Sequence, residues 1–459
     1  ISVFSRDLIL QLKTLCPSIR VIAAHKGFPV PLENMAVFDL CFIGFPYFYN
    51  QCLRAGLPAH LLYHAFDDSL LIKLDQVYGP RGIPTYEFTF LGSSGYGYGE
   101  HYTRYWSIVE LMKRSSIEVW NSEPLEGLDR ERAELMITLS RLLEGSGLET
   151  TLEAIVRQSG DPSAANREAI RAILHQLQDR KEAVLQADYR IQSKAKVPPP
   201  LPLGVVFPTR CRDAVYGLEM YRTLRDSLIT FNIHTDASHG ESANLRMFQA
   251  TGVGACLLTD YGSNLSHLFE PDTEVVAYRN LEECLEKWRY LADHKDVCQR
   301  IAAAGQARTM RCHTILQRCL QIDEVIQNYL RSPQAARSHK IKPRIPEFKP
   351  PDNPAQALSF EDWQKLPASM QEILSKFVTY LFTSLQERDQ LCDELRATLK
   401  TVSAEQEDYE DLIARMCITN RSKPFAARQI VFVFDRVSTR IIKLAQALRD
   451  RGYEVIALT

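Results

Sequence analysis

Hydrophobic positions along the chain follow two spacings. Leu8, Leu10, Leu12 and Leu15 carry a helical pattern, and the short apolar runs 20–24, 38–44 and 59–63 come after it. Short apolar runs separated by helical patterns predict βαβ units and a parallel sheet. Residues 1–84 therefore read as part of an α/β domain, with its first strands missing from the segment. A second α/β domain is predicted over 85–330, with strands at 86–91, 117–120, 204–207, 229–233, 254–258 and 274–277. Within it, 128–200 reads as a helical insertion. Ile170, Ile173, Leu174, Leu177, Val184 and Leu185 recur at helical spacing, and Pro198, Pro199, Pro200 and Pro202 close the insertion because proline cannot continue a helix.

The pattern then changes. Pro333, Pro343, Pro346, Pro350, Pro351 and Pro354 stand among Lys and Arg, which makes 331–356 a stiff extended linker. Residues 357–422 carry Leu374, Phe377, Val378, Leu381, Leu385, Leu391, Leu395 and Leu399 without a sustained heptad, and predict a helical hairpin or packed arm rather than a coiled coil. At 423–459 an apolar run, a helix through Ile441, Leu444, Ala445 and Leu448, and a second apolar run read as an opening βαβ. Two readings follow. The unit begins a second module of a longer chain, which the linker and arm favour, or it completes the first domain by permutation. Ile1 at the start and an apolar run at the end make both ends look cut.

Composition narrows the class. With 459 residues, 45% hydrophobic and 24% charged, the chain is long enough for several cores and ordinary for a globular protein. Lys+Arg of 54 against Asp+Glu of 56 leave no global positive field for nucleic acid. No run reaches the ~18 apolar residues of a membrane span and no signal peptide is evident, so a cytoplasmic location is expected. The 11 cysteines are scattered without a CxxC pair, which fits reduced core thiols rather than a zinc site.

Candidate chemistry concentrates at 231–255. An apolar strand ends at Asn232, a polar loop with His234, Asp236, Gly240 and Glu241 follows, and a helix from Ala243 stops near Gly252. Ligands of open α/β sheets bind at the carboxyl ends of strands, where helix N-termini offer free N–H groups to phosphate. The glycine-rich loop starting at Gly92 and Ser93 has the backbone freedom to approach a diphosphate but lacks the Lys of a P-loop.

Glu241 to Gln249, with Ala-Thr-Gly-Val-Gly-Ala after it, resembles the E-x7-E helix and turn of retaining GT-B glycosyltransferases, in particular the CgeB-type, spore-maturation-like branch. His64-Ala-Phe-Asp67, Phe88-Thr-Phe-Leu-Gly-Ser-Ser94 with His101 and Arg104, Leu268-Phe-Glu-Pro-Asp272 and His313-Thr314 resemble further family stretches in the same order. The resemblance covers about 20–330. It implies a GT-B fold of two Rossmann-like domains, the N-terminal one partial here; by the pattern above, the helical arm and the start of a further Rossmann-like unit follow.

The implied reaction is glycosyl transfer from a nucleoside-diphosphate sugar to a glycan or cell-surface precursor, retaining and without metal or cofactor. Breaking the sugar–phosphate bond leaves an oxocarbenium-like sugar and a diphosphate, and the site must stabilise both charges. By resemblance, Glu241 and His234 act at the reacting sugar. Gly92, Ser93, Arg104, Arg210, Asn232, Asn244, Arg246 and Gln249 bind the nucleotide sugar. Gln249 departs from the family Glu, exchanging a charged acceptor for an amide. Further domains of the same chain are expected partners. The alternative is a catalytically silent scaffold or glycan-binding module; a nucleotide-sugar epimerase of the same shape ranks below both.

Overall fold

The computed structural model describes residues 9–10, 19–27, 29–96, 101–121, 127–159, 163–332, 429–433 and 439–458. The expected first helix lies mostly outside these residues, and the linker and helical arm lie almost wholly outside them. Among the described residues the strands in chain order are β1 (Val21–Lys26), β2 (Leu40–Ile43), β3 (Ala59–Leu61), β4 (Tyr86–Gly92), β5 (Glu118–Asn121), β6 (Cys211–Asp213), β7 (Ser227–Asn232), β8 (Cys256–Asp260), β9 (Val276–Tyr278), β10 (Gln429–Val433) and β11 (Glu454–Leu458). They form two wholly parallel sheets, the α/β class expected from the sequence.

The first unit comprises residues 1–44, 48–62 and 315–459. Its sheet runs β11-β10-β1-β2-β3. Val21, Ile22, Ala23 and Ala24 pair in parallel with Ile430, Val431, Phe432 and Val433, so the tail does not begin a separate module. Counted from β10, the order is 2-1-3-4-5, a common doubly wound arrangement. The expectation of a second module at 423–459 is therefore corrected. The two tail strands extend the sheet beyond β1, and their ladder to β1 satisfies the backbone groups along that edge of β1.

Two boundaries also move. The helix Ile315–Arg331, assigned from sequence to the second domain, buries Ile315, Cys319, Ile322 and Ile326 at spacings of three and four and joins the first unit. Ile322 and Ile326 share a core with Val21, Phe42, Leu448 and Tyr453. Asp323 on its flank accepts from Arg451 and Tyr453. Burial raises the Asp323 carboxyl, but those two donors outweigh it and hold the group below its ordinary value. Residues 63–84 join the second unit instead, through Leu74 in the core with Phe66 and Leu224 and an Arg225–Asp75 ion pair at 2.9 Å.

The second unit, 45–47 and 63–314, holds the sheet β6-β5-β4-β7-β8-β9. In order of succession this is 3-2-1-4-5-6, so the connections reverse direction between β4 and β7. β7 is buried along its whole length, as a central parallel strand covered on both faces must be. Helices Gly127–Ser146, Leu148–Ser159, Ala164–Gln186 and Tyr189–Ala195 stand between β5 and β6. The strand expected at 204–207 is instead a helical turn, Leu203–Val206, and the strand is β6. A short, fully buried apolar run carries no periodicity to separate helix from strand, and Pro202 at its N-cap starts the turn.

Candidate functional site

Several groups converge at the carboxyl edge of the second sheet. β4 ends at Gly92, and Ser94 then donates its N–H to Asn121 Oδ1 at the end of β5, 2.8 Å away. β7 ends at Asn232, β8 at Asp260 and β9 at Tyr278. Arg104, from the helix Tyr102–Arg114, donates to Ser93 O at 3.3 Å and to Ile233 O at 3.1 Å. Its guanidinium thus ties the ends of β4 and β7 at the point where the sheet reverses. The loop expected to continue past Gly92 runs into 97–100, outside the described residues.

Asn232 and Asn244 hold the entry to the helix Leu245–Gly252. Asn244 is its N-cap and accepts from Met247 N, while its amide donates to Asn232 Oδ1 at 2.8 Å. Asn232 passes its own amide proton to Thr259 Oγ1 at 2.9 Å. An N-cap of this kind contributes about 1 kcal/mol and fixes the first turn against the strand ends. Arg246 sits in that turn, with Nη1 3.3 Å from Met220 Sδ.

His234 follows β7. Its N–H and Nδ1 both meet Asp260, with Nδ1 2.7 Å from Oδ1, and Nε2 is buried without a hydrogen-bond partner. Burial pushes the Asp260 carboxyl upward, but the charge and hydrogen bonds of His234 prevail and lower it. Glu241 lies in the loop that follows, half-buried, and accepts from Tyr47 N. Burial raises its carboxyl above the ordinary 4.5, opposed by the Tyr47 bond and the charge of His239.

Two expected residues are placed otherwise. Arg210 precedes β6 at the opposite end of the strands and donates to Ser115 O and Met112 O, the last carbonyls of the helix Tyr102–Arg114. Its role is to cap that helix, where a cation meets the negative end of the dipole, rather than to meet phosphate. Gln249 is only 6% exposed and gives its amide proton to Tyr221 Oη at 3.0 Å. That bond ties it to the helix Gly217–Arg225.

The sequence reading missed Asp260, Asn121 and Tyr278. Each closes a strand with a polar tip, as Asn232 does, so strand-end position was the available signal. Asn264 was also missed. It clamps Ser242 with two 2.7 Å bonds, to Ser242 N and O, and so shapes the loop that carries Glu241.

The motifs that suggested a family meet in space. A Cβ on Gly252 would come within 2.4 Å of the Phe66 ring, and Phe66 N donates to His313 O at 2.8 Å. Glycine is required where one element's backbone touches another's ring.

Among the described residues no three His, Cys, Asp or Glu side chains gather as a metal site, and no helix is long and apolar enough to cross a membrane.

No curated protein matches the chain. Among solved structures, the Anabaena protein HepE in complex with UDP-glucose is 11% identical, with a TM-score of 0.43 over 71% of this chain and 77% of that one. A UDP-forming trehalose-phosphate synthase from Burkholderia xenovorans is 12% identical, with a TM-score of 0.40 over 71% and 72%. A sucrose-phosphate synthase from Thermosynechococcus elongatus is 10% identical, with a TM-score of 0.38 over 65% of this chain and 60% of that one, so the chain spans under two thirds of its length. The family model described as "Glycosyl transferase-like" matches residues 165–324, roughly a third of the chain, which include β6 to β9 and the strand ends Asn232, Asp260 and Tyr278. By that match, residues 165–324 are a glycosyl transferase-like segment.

Proposed function

We propose that the protein transfers a sugar from a nucleoside-diphosphate sugar to a glycan or cell-surface precursor, with retention of configuration and without a required metal or cofactor, in the cytoplasm. The observation that carries this reading is the gathering of Ser93 and Arg104 with Asn232, His234 and Asn244 of the glycosyl transferase-like segment at the switch point. In this reading the N-capped turn of Leu245–Gly252, with Arg246, and the Gly92–Ser93 backbone receive the diphosphate. N–H donors already fixed there need no reorganisation as the leaving group gains charge. Glu241 and His234 meet the sugar. A carboxylate beside the anomeric carbon stabilises developing positive charge, and the partial burial that raises Glu241 also strengthens its field.

A catalytically silent, ligand-binding module is the second reading, favoured by Gln249. The position that would carry a charged ribose acceptor is a buried amide paired with Tyr221.

A melting screen of the full chain with UDP, GDP, ADP and TDP tests the donor site. Binding to the native state alone adds RT ln(1 + [L]/Kd), about 2.7 kcal/mol at a hundredfold excess over Kd. An upward shift with one diphosphate supports the reading, and no shift with any of them contradicts it.

A further inference from the structure

The pair His234–Asp260 has a geometry that selects between two ligand chemistries. Asp260 Oδ1 stands 2.7 Å from His234 Nδ1, and its carboxylate also accepts the His234 N–H at 3.0 and 3.1 Å. An ionised carboxylate only accepts, so Nδ1 is the donor and the ring proton is on that nitrogen. In the neutral ring Nε2 then presents a lone pair. It is buried in a side chain only 4% exposed and has no hydrogen-bond partner. Two residues on, Asp236 Oδ2 is a second buried acceptor without a partner. An unpaired buried acceptor is costly, and what satisfies each is a group that donates.

Phosphate oxygens only accept at neutral pH, and carboxylates at Asp236 and Asp260 would repel them. Hydroxyl groups donate. We propose that Asp260 fixes the His234 ring with its proton on Nδ1, so that Nε2 accepts a hydrogen bond from a sugar hydroxyl and the β7–β8 edge is a hydroxyl subsite rather than a phosphate subsite. Asp260 is then a positioning residue and His234 the group that touches the ligand. This rests on the transferase reading for the source of the sugar but not for the state of the ring.

The test uses the full chain with 15N-labelled histidine, the His234 signals being assigned by comparison with His234→Gln. Ring nitrogen shifts report which nitrogen carries the proton. The expected result is a proton on Nδ1 in the free protein, and an Nε2 that moves toward the hydrogen-bonded value with the hexose conjugates of UDP, GDP, ADP or TDP but not with the free diphosphates. A ring protonated on Nε2, alone or together with Nδ1, or an equal response to free diphosphate, overturns the proposal.

Calorimetry supplies the second readout. Asp260→Asn keeps an oxygen for the His234 N–H but reverses the demand on the ring. It should lose at least tenfold in affinity for the sugar conjugate while free diphosphate stays within twofold. Equal losses for both ligands would show a merely structural role and overturn the proposal. If no nucleotide binds the unaltered chain, the transferase reading fails. A ring protonated on Nδ1 would then leave the acceptor assignment standing, and one protonated on Nε2 would remove that as well.

Discussion

The Phe66 ring occupies the space that a side chain at position 252 would need, within 2.4 Å of a Cβ built on Gly252. Phe66 is fully buried and cannot swing clear, so Gly252→Ala should destabilise the second unit by about 1–3 kcal/mol, the usual cost of overpacking. The sign is informative, because alanine in place of glycine in a helix otherwise gains about 1 kcal/mol. Urea midpoints for Gly252→Ala, and for the same change combined with Phe66→Leu, check it. Partial recovery in the pair is expected.

Arg104 and Arg210 should separate cleanly. Arg104→Met removes the link between Ser93 O and Ile233 O, and charge-assisted bonds of this kind are worth about 1.5–3 kcal/mol each. Both stability and nucleotide binding should fall. Arg210→Met removes a helix cap at the far end of the strands, so melting temperature should fall while nucleotide Kd stays unchanged. A weakened Kd in Arg210→Met would return that residue to the site.

Glu241 links function to stability. Its carboxyl is raised by burial, so the protonated form is favoured in the native state. Its favourable contribution is complete below the ordinary value of 4.5 and is lost as pH rises through the higher native value. Glu241→Gln should therefore be at least as heat-stable as the parent at pH 7, with the difference shrinking below pH ~4.5, as melting curves across pH would show. A parent that gains stability relative to Glu241→Gln as pH rises would contradict the assignment.

The tail provides a fourth check. Val431 lies in β10, paired in register with Ile22. Val431→Pro removes a ladder donor from a strand with neighbours on both sides. Amides of β1 and β2 should then exchange faster, on the order of tenfold or more, while those of β7 and β8 keep their protection. Unchanged exchange in β1 would contradict the shared sheet.

The end of β7 was legible in the sequence because its apolar run reaches Asn232, and the helix after it was placed to within two residues, from Ala243 rather than Leu245. What periodicity could not carry was pairing between distant segments. Nothing local in 429–433 says that its partner is 21–24, because parallel pairing fixes register only through the assembled sheet. The same limit explains Arg210. From the sequence it was one of several cations near a strand, and only the fold shows which end of the strand it faces. Leu203–Val206 was misread because a four-residue buried run satisfies helix and strand alike.

Sugar transfer by the groups around β4 and β7, with Glu241 acting on the sugar, is tested by release of nucleoside diphosphate from UDP-, GDP-, ADP- and TDP-hexoses by the full chain, beside Glu241→Gln with its nucleotide Kd recorded. Turnover of at least one donor is expected, falling by about 100-fold or more in Glu241→Gln, on the order of 2.7 kcal/mol of transition-state stabilisation, with Kd for the free diphosphate nearly unchanged. No turnover of any donor by a chain that binds the diphosphate, or equal turnover by Glu241→Gln, would contradict it.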